Sequence, residues 1–416
     1  MKHYLVIQLA RFGDLLQTKR LLATLLARGD GQVHLCLDNS LQSLATMVFP
    51  QVQLHPITAH GTGLSREQAY TVMFQDNRSA FAELKARQFD EVYNLNFSPL
   101  NFRLAALFDP DTVRGHAWHN GQEISSQWAR MAMQWSRLRR QSINLVDFWA
   151  YYCRDAVAPA TVNPKATPQG DNIGIVLSGR ESRRSIPLEL LSKYATALAR
   201  LNKSGRILLL GSLSEKHAGK TLLKSLTKDV AEKTDNLAGK TDWKDLVDAL
   251  GSMKQILTPD TGTMHLAAHL GIPVTAFFLS SAWCFETGPY GEGHTVFQAI
   301  RDCLPCLESD PCPHKIACLN GFADPNFIRF MITEKTELVP PGINAYTTQT
   351  DDFGVDNILL AGNDPDKAAR DEFKKFLGRH VGQGCPLGDN AHQLAMKMYR
   401  DKDWATRPSP ESRRIS

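Results

Sequence analysis

The chain has 416 residues, of which 43% are apolar and 22% charged, and its formal net charge is +4. That composition suits a soluble globular protein with room for two or three domains. It excludes a bilayer-spanning chain, because no run of about 18 apolar residues occurs, and the small basic excess excludes a dedicated nucleic-acid binder.

The opening MKHYLVIQLARFGD has too short an apolar stretch for a signal peptide and runs directly into Gly13 and Asp14. It reads as a first buried strand over Tyr4 to Leu9, and the protein is expected to be cytoplasmic. LLQTKRLLATLLARG follows, with leucines at helical spacing that stop at Gly29. VHLCLD, QVQLHPI and FDEVYNL read as further strands and SAFAELKARQ as a helix. Residues 1–156 are therefore expected to form an alternating βα domain with a mostly parallel sheet. RMAMQWSRLRR, from Arg130 to Arg140, reads as a solvated amphipathic helix rather than a lipid-facing patch.

Three prolines and no periodicity mark residues 157–171, VAPATVNPKATPQGD, as a linker. The alternation then restarts over residues 172–323. IGIVLS, RILLLGS, QILTPD and VTAFFL read as strands, and IPLELLSKYATALARLNKSG, WKDLVDALGSM and MHLAAHLG as helices. The fold class is α/β: two Rossmann-like halves facing a cleft between the carboxyl ends of their sheets, where small molecules bind in open α/β folds. Residues 324–416 read as a less regular extension, with helices around Asp366 to His380 and Ala391 to Arg400 and a disordered polar tail.

The most informative stretch is QILTPDTGTMHLAAHLGIPVTAFF, from Gln255 to Phe278. A strand delivers Asp260 into the turn Thr261-Gly262-Thr263, and a helix starts at about Met264. Small residues let the free amides of a helix start approach an anion, and the dipole adds partial positive charge. The chemistry suits a pyrophosphate, with His265 placed to donate to a phosphate oxygen. The plainer alternative is that Asp260 and Thr261 cap the helix and His265 packs. His265 and His269, four apart, also share a helix face, but no carboxylate accompanies them to complete a metal site.

PDTGTMHLAAHLGIP resembles the D-[ST]-G-x-x-H-[LI]-A-A signature of the ADP-heptose:lipopolysaccharide heptosyltransferases, glycosyltransferase family 9. RFGD resembles that family's x-x-G-D, NLAGKTDWKDLVDAL its L-x-G-x-T-x-x-x-L-x-x-L, and LLLGSLSE its second-strand turn. The likeness covers roughly residues 1 to 300. It implies the GT-B fold and inverting transfer of heptose from ADP-heptose to a lipopolysaccharide inner-core or similar saccharide or lipid-linked acceptor. Asp260, Thr261, Gly262, Thr263 and His265 would hold the donor pyrophosphate and Glu215 would lie near the ribose. Peripheral contact with the inner membrane would follow from such an acceptor.

Inverting displacement needs one base for the acceptor hydroxyl. Asp14, at the exit of the first strand, corresponds to the family's base; position alone favours a cap for the following helix, and the motif set favours catalysis. The departing diphosphate needs fixed positive charge, and LSGRESRRSIP supplies Arg180, Arg183 and Arg184. Family members carry K-x-W-P where this chain has Arg184 and Ile186, so charge is kept while shape changes. Helix amides and arginines together make a divalent ion unnecessary for the chemistry. No G-x-G-x-x-G follows the first strand, which argues against a nicotinamide oxidoreductase. A transferase for a different nucleotide sugar and a non-catalytic assembly module of the same fold also fit the residues.

Arg11, Lys19, Arg20 and Arg66 could hold an anionic acceptor. CLPCLESDPCPHKIAC gathers Cys303, Cys306, Cys312 and Cys318 in one short segment, a set that suits structural zinc or iron, with disulfides or free packed thiols as the competing possibilities. Some family members carry a cysteine-bound iron.

Overall fold

The computed structural model describes residues 1–60, 71, 75–138, 140–178, 182–307 and 309–399. Arg66, Arg180, the expected disordered tail and Arg400 lie outside these residues.

A six-stranded sheet forms the first lobe in the order β3-β2-β1-β4-β5-β6. Its strands are β1 Lys2–Gln8, β2 Gly31–Asp38, β3 Gln53–Ile57, β4 Glu91–Asn94, β5 Val113–His119 and β6 Gln122–Ser125. All neighbours are parallel except β5 and β6. Val6, Leu35, Leu37 and Tyr93 bury one face, while Leu5, Ile7, Cys36 and Val92 bury the other. A parallel sheet covered on both faces demands such continuous apolar runs.

The second lobe repeats the plan in an eight-stranded sheet, β14-β13-β12-β11-β10-β7-β8-β9. Its members are β7 Asn172–Val176, β8 Ile207–Leu210, β9 Thr234–Asn236, β10 Met253–Pro259, β11 Val274–Phe278, β12 Thr295–Ala299, β13 Ile343–Thr350 and β14 Val355–Ala361. β7 to β12 are parallel; β13 and β14 continue antiparallel. In both lobes the strand order reverses beside the first strand, between β1 and β4 and between β7 and β10. A crevice opens at the carboxyl end of the strands at such a reversal.

Three readings from sequence are corrected. The leucine-rich stretch after β1 is two helices, α1 Phe12–Gln17 and α2 Lys19–Ala27. Thr18 separates them, because its Oγ1 donates to the Leu15 carbonyl at 2.6 Å and so competes with continued helix. Residues 343–361, read as irregular, contain β13 and β14. The stretch expected as a solvated amphipathic helix over Arg130 to Arg140 is a helix only to Trp135: the helix Gln127–Trp135 buries Trp128, Met131 and Trp135, and Ser136–Leu138 form a 3-10 turn. Residues 157–171 run along the second lobe, where Ala166 N donates to Glu292 O and Thr167 N to Gly271 O, both at 2.9 Å.

One buried ion pair ties these parts together. Arg20 of α2 meets Asp147 at 2.6 Å with both side chains 1% exposed. Tyr290 Oη donates to Asp147 Oδ1 at 2.6 Å, Val355 N donates to Asp147 Oδ2 at 3.0 Å, and Arg20 also donates to the carbonyls of Phe353 and Val157 at 2.9 Å. Such a pair is sustained only when the remaining donors and acceptors are satisfied.

Candidate active site

The two reversal crevices face each other across a cleft of about 1030 Å³. From the first lobe it is lined by Arg11, Phe12, Gly13, Asp14 and Gln17; from the second by Arg184, Glu215 and the run Asp260 to Thr263 with His265.

α1 and the helix Gly262–His269 approach closely at their first turns. A Cβ on Gly262 would stand 2.0 Å from the Phe12 ring, and one on Gly13 would stand 3.0 Å from His265 Cδ2. Glycine at both positions is what lets the tip of one lobe's helix rest against the other's. The Phe12 ring in turn packs on Trp243, centroids 4.7 Å apart, and Trp243 Nε1 donates to Ser40 O at 3.3 Å, so the lobes meet at the cleft's edge.

Asp14 is the third residue of α1, not its N-cap. Its Oδ2 accepts from Arg11 N at 3.1 Å in a capping box. Asp14 lines the cleft, and no hydrogen bond to its Oδ1 is found among the described residues. Burial raises the Asp14 carboxyl above the ordinary aspartate value, with neighbouring Asp260 adding to the effect, although the Arg11 amide and His265 oppose it. A partly buried carboxylate raised in this way suits proton abstraction.

Opposite stands Asp260, 7% exposed. Its Oδ2 pairs with the Arg184 guanidinium and accepts from Thr287 Oγ1 at 3.0 Å. Asp260 thus holds Arg184 at the cleft, and the helix N-cap is Thr261, whose side chain accepts from Met264 N at 3.3 Å. The amides of Gly262 and Thr263 remain at the mouth of an eight-residue helix, the place where an anion is favoured. His265 lies 3.9 Å from Asp260 and 3.4 Å from the Gln17 amide. Burial pushes its pKa down, so the ring is neutral at neutral pH and acts through hydrogen bonds rather than charge.

Glu215 lines the cleft, with its carboxylate engaged locally by Ser212 N at 2.8 Å, Ser212 Oγ at 2.7 Å and Ser214 Oγ at 2.5 Å. Burial opposes ionisation, yet these bonds hold it below the ordinary glutamate range. Arg183 turns away, donating to Asp310 O at 2.8 Å, and buttresses the cysteine segment. Ile186 is buried in the second core.

The cationic residues considered for an acceptor are dispersed. Arg11 lines the cleft, whereas Arg20 is sealed in its pair with Asp147 and cannot reach an acceptor. Lys19 sits under the site beside His269, its pKa pushed down to about 8 by burial. The four cysteines are free thiols, Cys303 exposed, Cys306 and Cys312 half-buried and Cys318 buried; burial raises the Cys318 pKa, with nearby Cys306 and Cys312 adding to it. Among the described residues no three His, Cys, Asp or Glu form a ligating group. His265 and His269 gain no third partner among them either.

Sequence reasoning missed Phe12, Ser178, Trp243, Leu246 and Thr287 as lining residues. Trp243 and Leu246 belong to the NLAGKTDWKDLVDAL segment and carried a signal; Thr287 carried none, because only the tertiary fold brings it to Asp260.

Residues 172–316, which contain Arg184, Glu215 and Asp260 to His265, match the sequence profile of glycosyltransferase family 9 (heptosyltransferase). Through this segment, residues 172–316, the chain is similar to glycosyltransferase family 9. A curated protein, lipooligosaccharide heptosyltransferase 2 of Haemophilus influenzae, is 32% identical over 95 residues, covering 23% of this chain and 27% of that protein. The match thus spans about a quarter of the relative's length. Among solved structures, the fold resembles E. coli ADP-heptose lps heptosyltransferase II with TM-score 0.54 and 18% identity, over 77% of this chain and 98% of that one. It also resembles E. coli heptosyltransferase WaaC with ADP, TM-score 0.53 and 15% identity, over 72% of this chain and 93% of the other. The two parallel-rich lobes are the GT-B arrangement shared with these two structures. Among the described residues no helix is long and apolar enough to cross a membrane.

Proposed function

We propose that the chain is an inverting glycosyltransferase that moves heptose or a related sugar from ADP-heptose to a lipopolysaccharide inner-core or similar saccharide acceptor. The observation that carries this reading is the placement of a pKa-raised Asp14 across the cleft from a helix tip flanked by Arg184 and His265. The similarly folded E. coli heptosyltransferase WaaC was captured with ADP, which supports a nucleotide diphosphate in the corresponding cleft.

In this scheme the diphosphate lies on the amides of Gly262 and Thr263, with Thr261 and His265 beside it and Arg184 supplying the charge. Asp260 acts chiefly by holding Arg184, and Glu215 lies toward the ribose. The acceptor hydroxyl attacks the anomeric carbon as its proton passes to Asp14 Oδ1. The bond from that carbon to the diphosphate oxygen breaks on the opposite face, and ADP leaves with the electron pair. Helix amides and a guanidinium stabilise the departing charge where it develops, so the chemistry needs no divalent ion. A lipid-linked acceptor would place the protein at the cytoplasmic face of the inner membrane.

The test is a thermal-shift screen of nucleotide sugars followed by transfer or hydrolysis assays. ADP-heptose is expected to stabilise the protein and to be turned over. Stabilisation by another nucleotide sugar alone would replace the donor, and none by any would remove the transferase reading.

A further inference from the structure

The two lobes also meet through polar side chains in the cleft. Gln17 is the last residue of α1 and is only 2% exposed, although it ends in a primary amide. An amide taken out of water is costly without a partner. The partner comes from the other lobe: Gln17 Nε2 lies 3.4 Å from His265 Nε2, across 248 positions of sequence. Both residues line the cleft.

The chemistry of the two atoms fixes the direction of this bond. A primary amide nitrogen only donates, so His265 Nε2 is the acceptor and carries no proton. Burial lowers the pKa of the ring, which holds a single proton at neutral pH, and that proton therefore sits on Nδ1. Asp260 Oδ1, 3.9 Å from the same Nε2, is too far away to form a competing hydrogen bond. The edge of the ring that carries Cδ2 and Nε2 faces α1, since a Cβ on Gly13 would stand 3.0 Å from the first and 3.6 Å from the second. Nδ1 lies across the ring from that edge.

Gln17 follows Asp14 at the spacing that puts two side chains on one face of a helix. Resting on the transferase reading above, we infer that Gln17 is a positioning residue for the donor: its amide holds His265 in the Nδ1–H form, and Nδ1–H is the group that the ring offers to a diphosphate oxygen. The base and the partner that orients the ring then share one short helix. The second lobe's grip on the donor depends on a side chain of the first.

NMR of the full chain labelled with 15N-histidine, with His265 assigned from the His265→Ala variant, reads the tautomer, and calorimetry reads ADP affinity. The unaltered chain is expected to show His265 as the Nδ1–H form. Gln17→Glu puts an acceptor of the same size where the donor stood, and is expected to place a proton on Nε2. Gln17→Leu, which neither donates nor accepts, is expected to weaken ADP binding about three- to tenfold, the size of one hydrogen bond. It should cause no further loss in a His265→Ala background, because it acts through that ring. An Nε2–H form in the unaltered chain, a tautomer indifferent to Gln17→Glu, or equal losses from Gln17→Leu with and without His265 overturns the inference. Were Gln17→Leu to lose ADP affinity through misfolding, seen as a collapsed melting transition, the tautomer in Gln17→Glu decides. Should ADP fail to bind the unaltered chain while the Nδ1–H form and its response to Gln17→Glu are both seen, the transferase reading fails and the pairing of Gln17 with His265 stands.

Discussion

Asp260 and Arg184 form an ion pair at the reversal between β7 and β10, with side chains 6% and 15% exposed. In the proposed scheme, the carboxylate that the sequence motif puts first in the turn therefore acts on a diphosphate through a guanidinium. Arg184→Ala should lower turnover by about 100- to 1000-fold, the size of effect seen when a fixed transition-state donor is removed. Arg184→Lys should recover only part of it, because a point charge replaces a planar fork. Steady-state rates with saturating donor would show this, and full activity in the alanine variant would remove Arg184 from the mechanism.

Asp14→Asn should leave ADP affinity nearly unchanged and reduce turnover by about two or more orders of magnitude, as expected on losing a general base. The amide oxygen can still accept from Arg11 N, so the α1 cap survives and the two roles of Asp14 separate. Asp14→Ala loses both, with an added stability loss of about 0.5–2 kcal/mol in line with a deleted cap. Calorimetry for ADP beside single-turnover rates distinguishes the cases.

The pH profile should carry the same residue's signature. Burial raises the Asp14 pKa, and the base works only when ionised. Activity should therefore rise with pH along an acidic limb lying above the ordinary aspartate value of about 3.9. His265 contributes no such limb near neutrality, since its pKa is lowered and its ring already neutral there. An acidic limb unchanged in a partly active Asp14 variant would assign the titration elsewhere.

His265→Ala should weaken ADP binding while leaving the fold intact, because the ring lies beside the helix tip and is 8% exposed. An ADP affinity indistinguishable from the unaltered chain would make His265 a packing residue.

Arg20→Ala should destabilise the protein by about 3–5 kcal/mol, the cost of stranding a buried partner charge. Asp147 would keep its bonds from Tyr290 and Val355 but lose its cation. Chemical denaturation reads this directly, and a loss under about 1 kcal/mol, the range of an exposed pair, would show that the pair is dispensable.

Much of this site could be read from residue order because it is built from two strand-turn-helix units. Each turn carries its own chemistry: Gly13 with Asp14 after β1, and Asp260 to His265 after β10. Local sequence identifies such units, but not which side chains meet across lobes. The same set of acidic and basic residues that suggested phosphate contact proved to pair internally at Asp260 and Arg184. Arg20, read as a surface cation, is buried because its partner Asp147 lies 127 positions away. β13 escaped notice because INAYTTQT is largely polar. Its polar members are satisfied inside the fold, Asn344 donating to Tyr346 Oη at 2.8 Å and Thr348 Oγ1 accepting from His294 N at 3.0 Å. Thr18 divided a leucine-rich stretch by one side-chain bond, a choice that helical spacing does not register.

The antiparallel pair β13 and β14 has a practical consequence. β13 covers the margin of β12, and the turn beyond it delivers Phe353 O and Val355 N to Arg20 and Asp147. Trimming the polypeptide just before β13 would leave β12 as a raw border able to recruit stray strands, and would strip the first lobe's charged couple of two of its bonds. The closing strands β13 and β14 are thus part of the second lobe's own fabric, and versions shortened before them should clump.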